Sequence, residues 1–297
     1  MTPMSSPLHP SETTNPDQPF LSLITGSFST PAGGNPTVAM VEAAYRDLGL
    51  AARYVNCEVS TSALADAVRG AAAMGWAGFN CSLPHKVAVI EHLDDLSPAA
   101  RIIGAVNCVV IRHGRLTGEN TDGKGFVEAL RRAQDPAGAS MVVLGAGGAA
   151  RAIAVESALA GAATVTIVAR HLAAASALAH RVAEQTGAAT SALPWEPGMP
   201  VPAADILVNA TSVGMHPDGE AVVDIDLDSL DPATLVADVI ANPPRSRLIR
   251  EAELRGCRTI DGLGMLVAQA VVAIELWTGC TPDPAVMRTE LERIFSV

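Results

Sequence analysis

Basic residues, aromatics and long apolar runs are all scarce in this chain of 297 residues. Lysine and arginine total 20 against 31 acidic residues, a formal net charge of −11. That balance argues against nucleic acid or an anionic membrane surface as a partner. The longest apolar candidate, Leu266 to Trp277, contains Gln269 and Glu275 and is too short to cross a bilayer. Cysteines are few and odd in number: Cys57, Cys81, Cys108, Cys257 and Cys280. They show no paired spacing, which argues against a disulfide framework and a zinc site and fits a reducing cytoplasm. All five read as small buried apolar side chains, and no metal site is expected. The segment 1–19 has no Lys or Arg and no apolar middle, so it lacks the marks of a secretion signal and reads as a disordered tail.

Aromatics make up 3% of the chain, while alanine, leucine and valine dominate, a composition suited to an α/β protein of short strands and alanine-rich helices. In mid-chain stands a glycine-rich turn, Gly145-Ala146-Gly147-Gly148-Ala149-Ala150-Arg151, after the apolar run Met141-Val142-Val143-Leu144 and before a helix-forming stretch over 149–160. Strand, glycine turn and helix N-terminus in that order form an anion site, because backbone N–H groups and the positive helix end point at a pyrophosphate. A separate domain is expected in the long segment before it. There Leu21 to Thr25, Ala52 to Asn56 and Trp76 to Asn80 read as strands, with helices from Thr37 to Leu48 and Thr61 to Met74, which predicts βαβ units and a mostly parallel sheet. Two strands flank His113-Gly114 as a hairpin. Beyond the glycine turn, strands are predicted at 164–168, 206–208, 235–239 and 258–260, with helices over 172–186, 265–279 and 284–295.

Only two lysines occur, Lys86 and Lys124, against eighteen arginines. Arginine cannot lose its proton in a protein, whereas a lysine can be tuned to exchange one. Lys86 follows Asn80-Cys81-Ser82-Leu83-Pro84-His85, a loop just after a strand, where active-site groups of open α/β sheets gather; the competing reading is an ordinary surface lysine. Asp122, in Glu119-Asn120-Thr121-Asp122-Gly123, is either a turn or cap residue or an acid–base partner for Lys86 on an alcohol or ketone. Asn107 can bond a substrate hydroxyl or serve as a turn amide. Gln269, on an otherwise apolar helix, is costly to bury unpaired and is expected to face a cleft. At the tip of the second strand after the glycines, where an acidic residue would grip the ribose of NAD, the chain has Val168-Ala169-Arg170-His171. Arg170 there could pair with a 2′-phosphate, which favours NADP.

The ordered blocks Asn80 to Lys86, Gly104-Ala105-Val106-Asn107, Asn120 to Gly123, Gly145 to Arg151, Asn209-Ala210-Thr211-Ser212-Val213-Gly214-Met215 and Asp261 to Ala270 resemble the shikimate dehydrogenase family, over nearly all of 21–297. The resemblance implies a substrate-binding domain (20–122 and 266–297), a Rossmann NADP-binding domain (123–265) and an active site in the cleft between them. By that likeness Lys86 and Asp122 are the catalytic pair, and Asn107 and Gln269 hold ring hydroxyls. Gly145, Ala146, Gly147, Gly148 and Ala149 form the pyrophosphate loop, Arg170 the 2′-phosphate contact, and Thr211, Val239 and Gly262 the nicotinamide side. The implied reaction is reversible reduction of a ring ketone to an alcohol with NADP (NAD possible) and a small hydroxylated-ring substrate, by a cytoplasmic monomer or homodimer.

Several positions depart from the family. Its Ser-x-Ser-Pro carboxylate anchor is replaced by Gly33-Gly34-Asn35-Pro36, a usual tyrosine by Ala241, and a threonine by Ser82. A second arginine expected after Arg170 is Ala174, which weakens the preference for NADP. Two or three lost hydrogen bonds to a carboxylate, at roughly 1.5–3 kcal/mol each, predict a penalty on shikimate of about 100-fold or more unless Asn35 compensates. The expected substrate therefore differs at the carboxylate end: a related cyclic polyol or its ketone, or a larger substituent. The alternatives are a quinate or carboxylate-free cyclitol dehydrogenase using NAD, and a non-catalytic nucleotide sensor.

Overall fold

Two six-stranded sheets organise the chain. The computed structural model describes residues 21–296, so the expected tail lies outside them. The chain forms two units, one comprising the residues up to Thr121 with Ala270–Ile294, the other Asp122–Gln269.

The first unit contains β1 (Leu23–Ser29), α1 (Thr37–Asp47), β2 (Ala52–Glu58), α2 (Leu64–Ala73), β3 (Gly78–Cys81), α3 (His85–Ala88), β4 (Asp95–Leu96), α4 (Pro98–Ile103), β5 (Cys108–Arg112) and β6 (Arg115–Glu119). Its sheet runs β2-β1-β3-β5-β6-β4. The first three strands are parallel, as expected, while β5 runs antiparallel to both β3 and β6. The β5–β6 pair is the expected hairpin, where His113 (φ 52°) and Gly114 (φ 75°) supply the two left-handed residues that a tight two-residue turn requires. Phe28, Phe79 and Val109 project from one face into a core with Leu64, Val68 and Ala71, and the Phe28 and Phe79 rings stack at 4.4 Å. Strand alternation sends Thr25, Ser27 and Ser29 to the other face, and all three are buried.

The second unit takes in α5 (Thr121–Arg131), β7 (Ser140–Leu144), α6 (Gly148–Leu159), β8 (Thr164–Ala169), α7 (Leu172–Thr186), β9 (Ala189–Pro194), β10 (Met199–Pro200), β11 (Ile206–Asn209), β12 (Ile225–Asp226), β13 (Leu235–Asp238), α8 (Arg247–Leu254), β14 (Thr259–Ile260) and the first part of α9 (Gly262–Thr278). After α9, α10 (Pro284–Phe295) closes the chain. The sheet order β14-β13-β11-β7-β8-β9 is parallel throughout. Read from β9, this is the doubly wound dinucleotide-binding order, whose direction reverses between β7 and β11. All residues of β11 and β13 are buried, as a sheet covered on both faces demands.

Helices expected over 172–186 and 284–295 are found over those residues, whereas α9 starts three residues earlier than expected. The sequence reading missed the short α3, α4, β4, β10 and β12, and also β9 and α8. β9 is built largely from alanine, threonine and serine, without the branched apolar run that marks a strand. α8 follows a double proline and carries four charged residues in eight, with Ser246 as its cap. The cysteines also differ from expectation: Cys81, Cys108 and Cys257 are buried, but Cys57 and Cys280 are only half-buried, and all five are free thiols.

Gly78 on β3 sits where no side chain fits, because an added Cβ would fall on Val109 O and on Trp277 Nε1. That indole donates to Val109 O at 3.0 Å and fastens the end of α9 to this sheet. Gly78→Ala should therefore destabilise the first unit by roughly 1–3 kcal/mol or more, measured as a lowered urea midpoint with unchanged slope.

Candidate active site

In the first unit the candidate residues collect at strand ends. Ser82, exposed, donates its N–H to Phe28 O at 3.1 Å and accepts His85 N–H at 2.8 Å. Lys86, expected in a loop, lies on the one-turn helix α3. Its neighbour His85 is fully buried, and its Nε2 donates to Val59 O at 2.7 Å. The Lys86 carbonyl accepts Val106 N–H at 2.7 Å. Burial pushes the Cys81 thiol up to about 12 against the opposing pull of Lys86, so no thiolate competes for the ammonium at neutral pH.

Asn107 is 3% exposed. Its Oδ1 accepts Thr121 N–H at 2.6 Å and its Nδ2 donates to Thr121 Oγ1 at 3.0 Å. Asn120 Nδ2 donates to Ala105 O at 3.1 Å. The segments carrying Lys86, Asn107 and Thr121 are thus tied together through Val106, and Asp122 is the next residue of the chain.

At the Gly33–Asn35 corner, a Cβ added to Gly33 or Gly34 would meet nothing within 4 Å. Asn35, half-buried, accepts Thr37 N–H at 3.1 Å through Oδ1. Its Nδ2 donates to Ser27 Oγ at 3.0 Å and to Asn56 Oδ1 at 3.3 Å.

The second unit holds the glycine turn. Gly145 has φ 110° and passes within 3.1 Å of Ala210 O, reckoned from an added Cβ, so only glycine fits comfortably. Gly147 and Gly148 face open space, and the α6 N-terminus has no side-chain cap. Arg151 Nε, on the first turn of α6, is buried with no hydrogen-bond partner. Open glycines, uncapped N–H groups and a spare cationic donor fit a pyrophosphate. Arg170 is exposed just past β8, where a 2′-phosphate contact belongs. Gly262 packs so tightly that a Cβ would fall on Ile240 O, and Ala241 is half-buried beside it in the chain order of that turn. Gln269, expected at a cleft, is 7% exposed and donates to Leu266 O at 3.0 Å.

A buried network links these loops. Asp238 accepts Ser246 Oγ–H at 2.6 Å, Asn209 Nδ2–H at 3.1 Å and Ile240 N–H at 3.1 Å. Asn209 Oδ1 accepts Thr211 Oγ1–H at 2.7 Å and Thr211 N–H at 3.1 Å. Val239 N–H bonds Asn209 O at 3.2 Å. Thr211 and Val239 are therefore held by one carboxylate–amide pair. Burial raises the Asp238 carboxyl to about 6 despite these donors.

The sequence reading passed over Ser27, Asn56, Asn209, His85 and Asp238. Period-two polarity in Thr25, Ser27 and Ser29 and in Tyr54, Asn56 and Glu58 was the available signal for the first two. Among the described residues, no cluster of His, Cys, Asp and Glu could hold a metal ion, and no helix is long and apolar enough to cross a membrane.

A doubly wound nucleotide unit joined to a second α/β unit defines a dinucleotide-dependent oxidoreductase. A family model for the shikimate dehydrogenase substrate binding domain matches residues 30–109, and one for the shikimate 5′-dehydrogenase C-terminal domain matches 262–292. Shikimate dehydrogenase (NADP(+)) of Desulforamulus reducens is 42% identical over 275 residues, covering 91% of this chain and 94% of that protein. The ligand-free crystal structure of 5-ketofructose reductase of Gluconobacter sp. strain CHM43 is 56% identical with a TM-score of 0.90, over 93% of this chain and 100% of that one. Quinate dehydrogenase from Corynebacterium glutamicum, in complex with NAD, is 31% identical with a TM-score of 0.82, over 93% and 99%. The chain belongs to the shikimate dehydrogenase family.

Asp238 has a stability consequence. Its folded pKa of about 6 exceeds the ordinary 3.8, so the fold binds more protons than the unfolded chain between these values. Its contribution is favourable at low pH and is lost as pH rises through about 6. Asp238→Asn should remove about 2 kcal/mol of the stability difference between about pH 4.5 and pH 7.5, read from paired urea unfolding curves of both proteins.

Proposed function

We propose that this chain is an NADP-dependent reductase of a polyhydroxylated ketone that lacks a carboxylate, of the kind represented by 5-ketofructose. The observation that carries this reading is the Gly33–Asn35 corner. Two serine hydroxyls of the family pattern are replaced by a glycine and by an asparagine whose amide hydrogens already have protein acceptors. The 56% identity to a 5-ketofructose reductase supports the same reading. Shikimate dehydrogenase activity is the second reading, supported by 42% identity to an enzyme of that name.

When bound, NADPH supplies the hydride. The Gly145–Ala149 turn and the α6 N-terminus would hold its pyrophosphate, Arg170 would pair with the 2′-phosphate, and Thr211, Val239 and Gly262 would line the nicotinamide side. As the substrate carbonyl oxygen gains negative charge, Lys86 gives it a proton; Asp122 holds the ammonium in place beforehand by its negative charge, and the neutral lysine then regains a proton from solvent. In the alcohol-to-ketone direction the same pair takes the hydroxyl proton. Asn107, Gln269 and Ser82 bond ring or chain hydroxyls. Ala241 and Gly33 leave room at the end where the family binds a carboxylate.

The test is kcat/KM for 5-ketofructose, 3-dehydroshikimate and 3-dehydroquinate with NADPH and NADH. The reading expects the carboxylate-free ketone with NADPH to lead by about 100-fold, the cost of two lost charged hydrogen bonds; efficient turnover of 3-dehydroshikimate instead would end it. Lys86→Ala should lower kcat by about 100- to 10,000-fold while the NADPH dissociation constant, measured by fluorescence titration, stays within twofold or so of the parent.

A further inference from the structure

A polar cluster beside the Gly33–Asn35 corner has its hydrogen-bond polarity fixed by two backbone groups. Thr37 N–H can only donate, so the atom of Asn35 that it meets at 3.1 Å is Oδ1. Ala32 O can only accept, so the atom of Asn56 that meets it at 2.7 Å is Nδ2. A flip of either amide would set donor against donor or acceptor against acceptor. Asn56 Oδ1 therefore faces Ser27 and Asn35, and it accepts Ser27 Oγ–H at 2.7 Å and Asn35 Nδ2–H at 3.3 Å. Ser27 Oγ, its proton committed, accepts the other Asn35 amide hydrogen at 3.0 Å.

Both Asn35 amide hydrogens and the Ser27 hydroxyl proton are used, and Ser27, 2% exposed, also has a side-chain hydrogen bond with Tyr54. One lone pair on Asn35 Oδ1 and one hydrogen on Asn56 Nδ2 are not used within this cluster. Glu58 takes the next two donors along the loop, Thr30 Oγ1–H at 2.9 Å and Ala32 N–H at 2.8 Å. Those bonds hold its carboxyl below the usual range, so it stays ionised at neutral pH. The side chains at this corner thus offer mainly acceptors, next to a standing negative charge. Hydroxyl groups can donate to such a surface, whereas a carboxylate only accepts.

We infer that Asn56 is the specificity-determining residue of this corner, a positioning residue that turns the donors of Ser27 and Asn35 inward so that the site takes hydroxyls and rejects a carboxylate; this rests on the carboxylate-free reading above. The register across the sheet places it for that task. Asn56 on β2 pairs with Ser27 on β1, which pairs with Asn80 on β3. Asn80 Oδ1 in turn accepts Tyr54 OH at 2.8 Å, so the row continues in uncharged amides and hydroxyls.

The experiment compares kcat/KM for 3-dehydroshikimate and 5-ketofructose in the parent, Asn56→Ala and Asn56→Asp. Removing the Asn56 acceptor frees one Asn35 amide hydrogen and the Ser27 hydroxyl, so Asn56→Ala should raise the ratio of carboxylated to carboxylate-free substrate about tenfold or more, through KM with kcat little changed. Asn56→Asp keeps the acceptor and adds a negative charge, so the ratio should move the opposite way. If Asn56→Ala does not fold, Asn56→Ser, which also cannot reach both partners, is read in its place. A ratio unchanged in the variants, or equal losses on both substrates through kcat, would overturn the inference. The parent's own preference is a separate readout: a parent that favours 3-dehydroshikimate ends the functional reading, while the direction in which the variants move the ratio still judges Asn56.

Discussion

The bidentate hold of Asn107 on Thr121 is the constraint on which the catalytic segment depends. A buried side-chain amide bonds both the backbone N–H and the hydroxyl of one residue, at the point where β6 ends and α5 begins. Neither group could be left unpaired at this depth without a cost of about 1–3 kcal/mol. The preceding residue, Val106, fixes the Lys86 carbonyl. His85 anchors α3 to Val59 from the other side. One side-chain amide, one imidazole and one backbone bond therefore set where the helix carrying Lys86 begins and where the chain leaves toward Asp122.

The nucleotide unit uses a different device, in which glycine supplies close approach and a carboxylate supplies order. Gly145 and Gly262 stand where a Cβ would strike Ala210 or Ile240, so the loops at the C-terminal ends of β7, β11 and β13 can lie against one another. Asp238 and Asn209 then fix the direction of those loops with five hydrogen bonds among buried or half-buried partners. The raised pKa of Asp238 is the thermodynamic mark of that choice. Desolvation outweighs the donors, so the carboxylate orders the loops at some expense to global stability.

The nucleotide unit was the more legible of the two in the sequence. Its strands are continuous apolar runs, and its glycine turn has one physical meaning in that context. The helix over 172–186 was readable from alanine periodicity alone. β9 and α8 were not, because their stability comes from pairing with β8 and from the Ser246 cap rather than from local pattern. In the first unit, Lys86 was singled out by the scarcity of lysine, Asn107 and Asp122 by their side-chain chemistry with a turn role left open, and their roles were assigned by resemblance. Asn56 and Ser27 carried no such mark. Their significance lies in a cross-strand register that brings positions 27 and 56 side by side, and single-strand alternation cannot reveal which residues face one another.

On the proposed reading, Gly33 and Asn35 in place of two serines of the family pattern would change specificity by closing donors rather than by adding contacts. A glycine at position 33 alone would leave an opening that water could fill, and a carboxylate would bind there weakly. The asparagine at 35 alone would offer two N–H donors, which a carboxylate would welcome. The pairing with Asn56 alters the outcome, since its one oxygen draws in a hydrogen from Asn35 and the proton of Ser27. A carboxylate arriving at the corner must then give up its hydration without receiving side-chain donors in return, near an ionised Glu58. A hydroxyl gives up less and still finds acceptors. Gly33, Gly34 and Glu58 are exposed, so on the proposed reading the choice rests on hydrogen-bond polarity at the corner rather than on the burial of a charge.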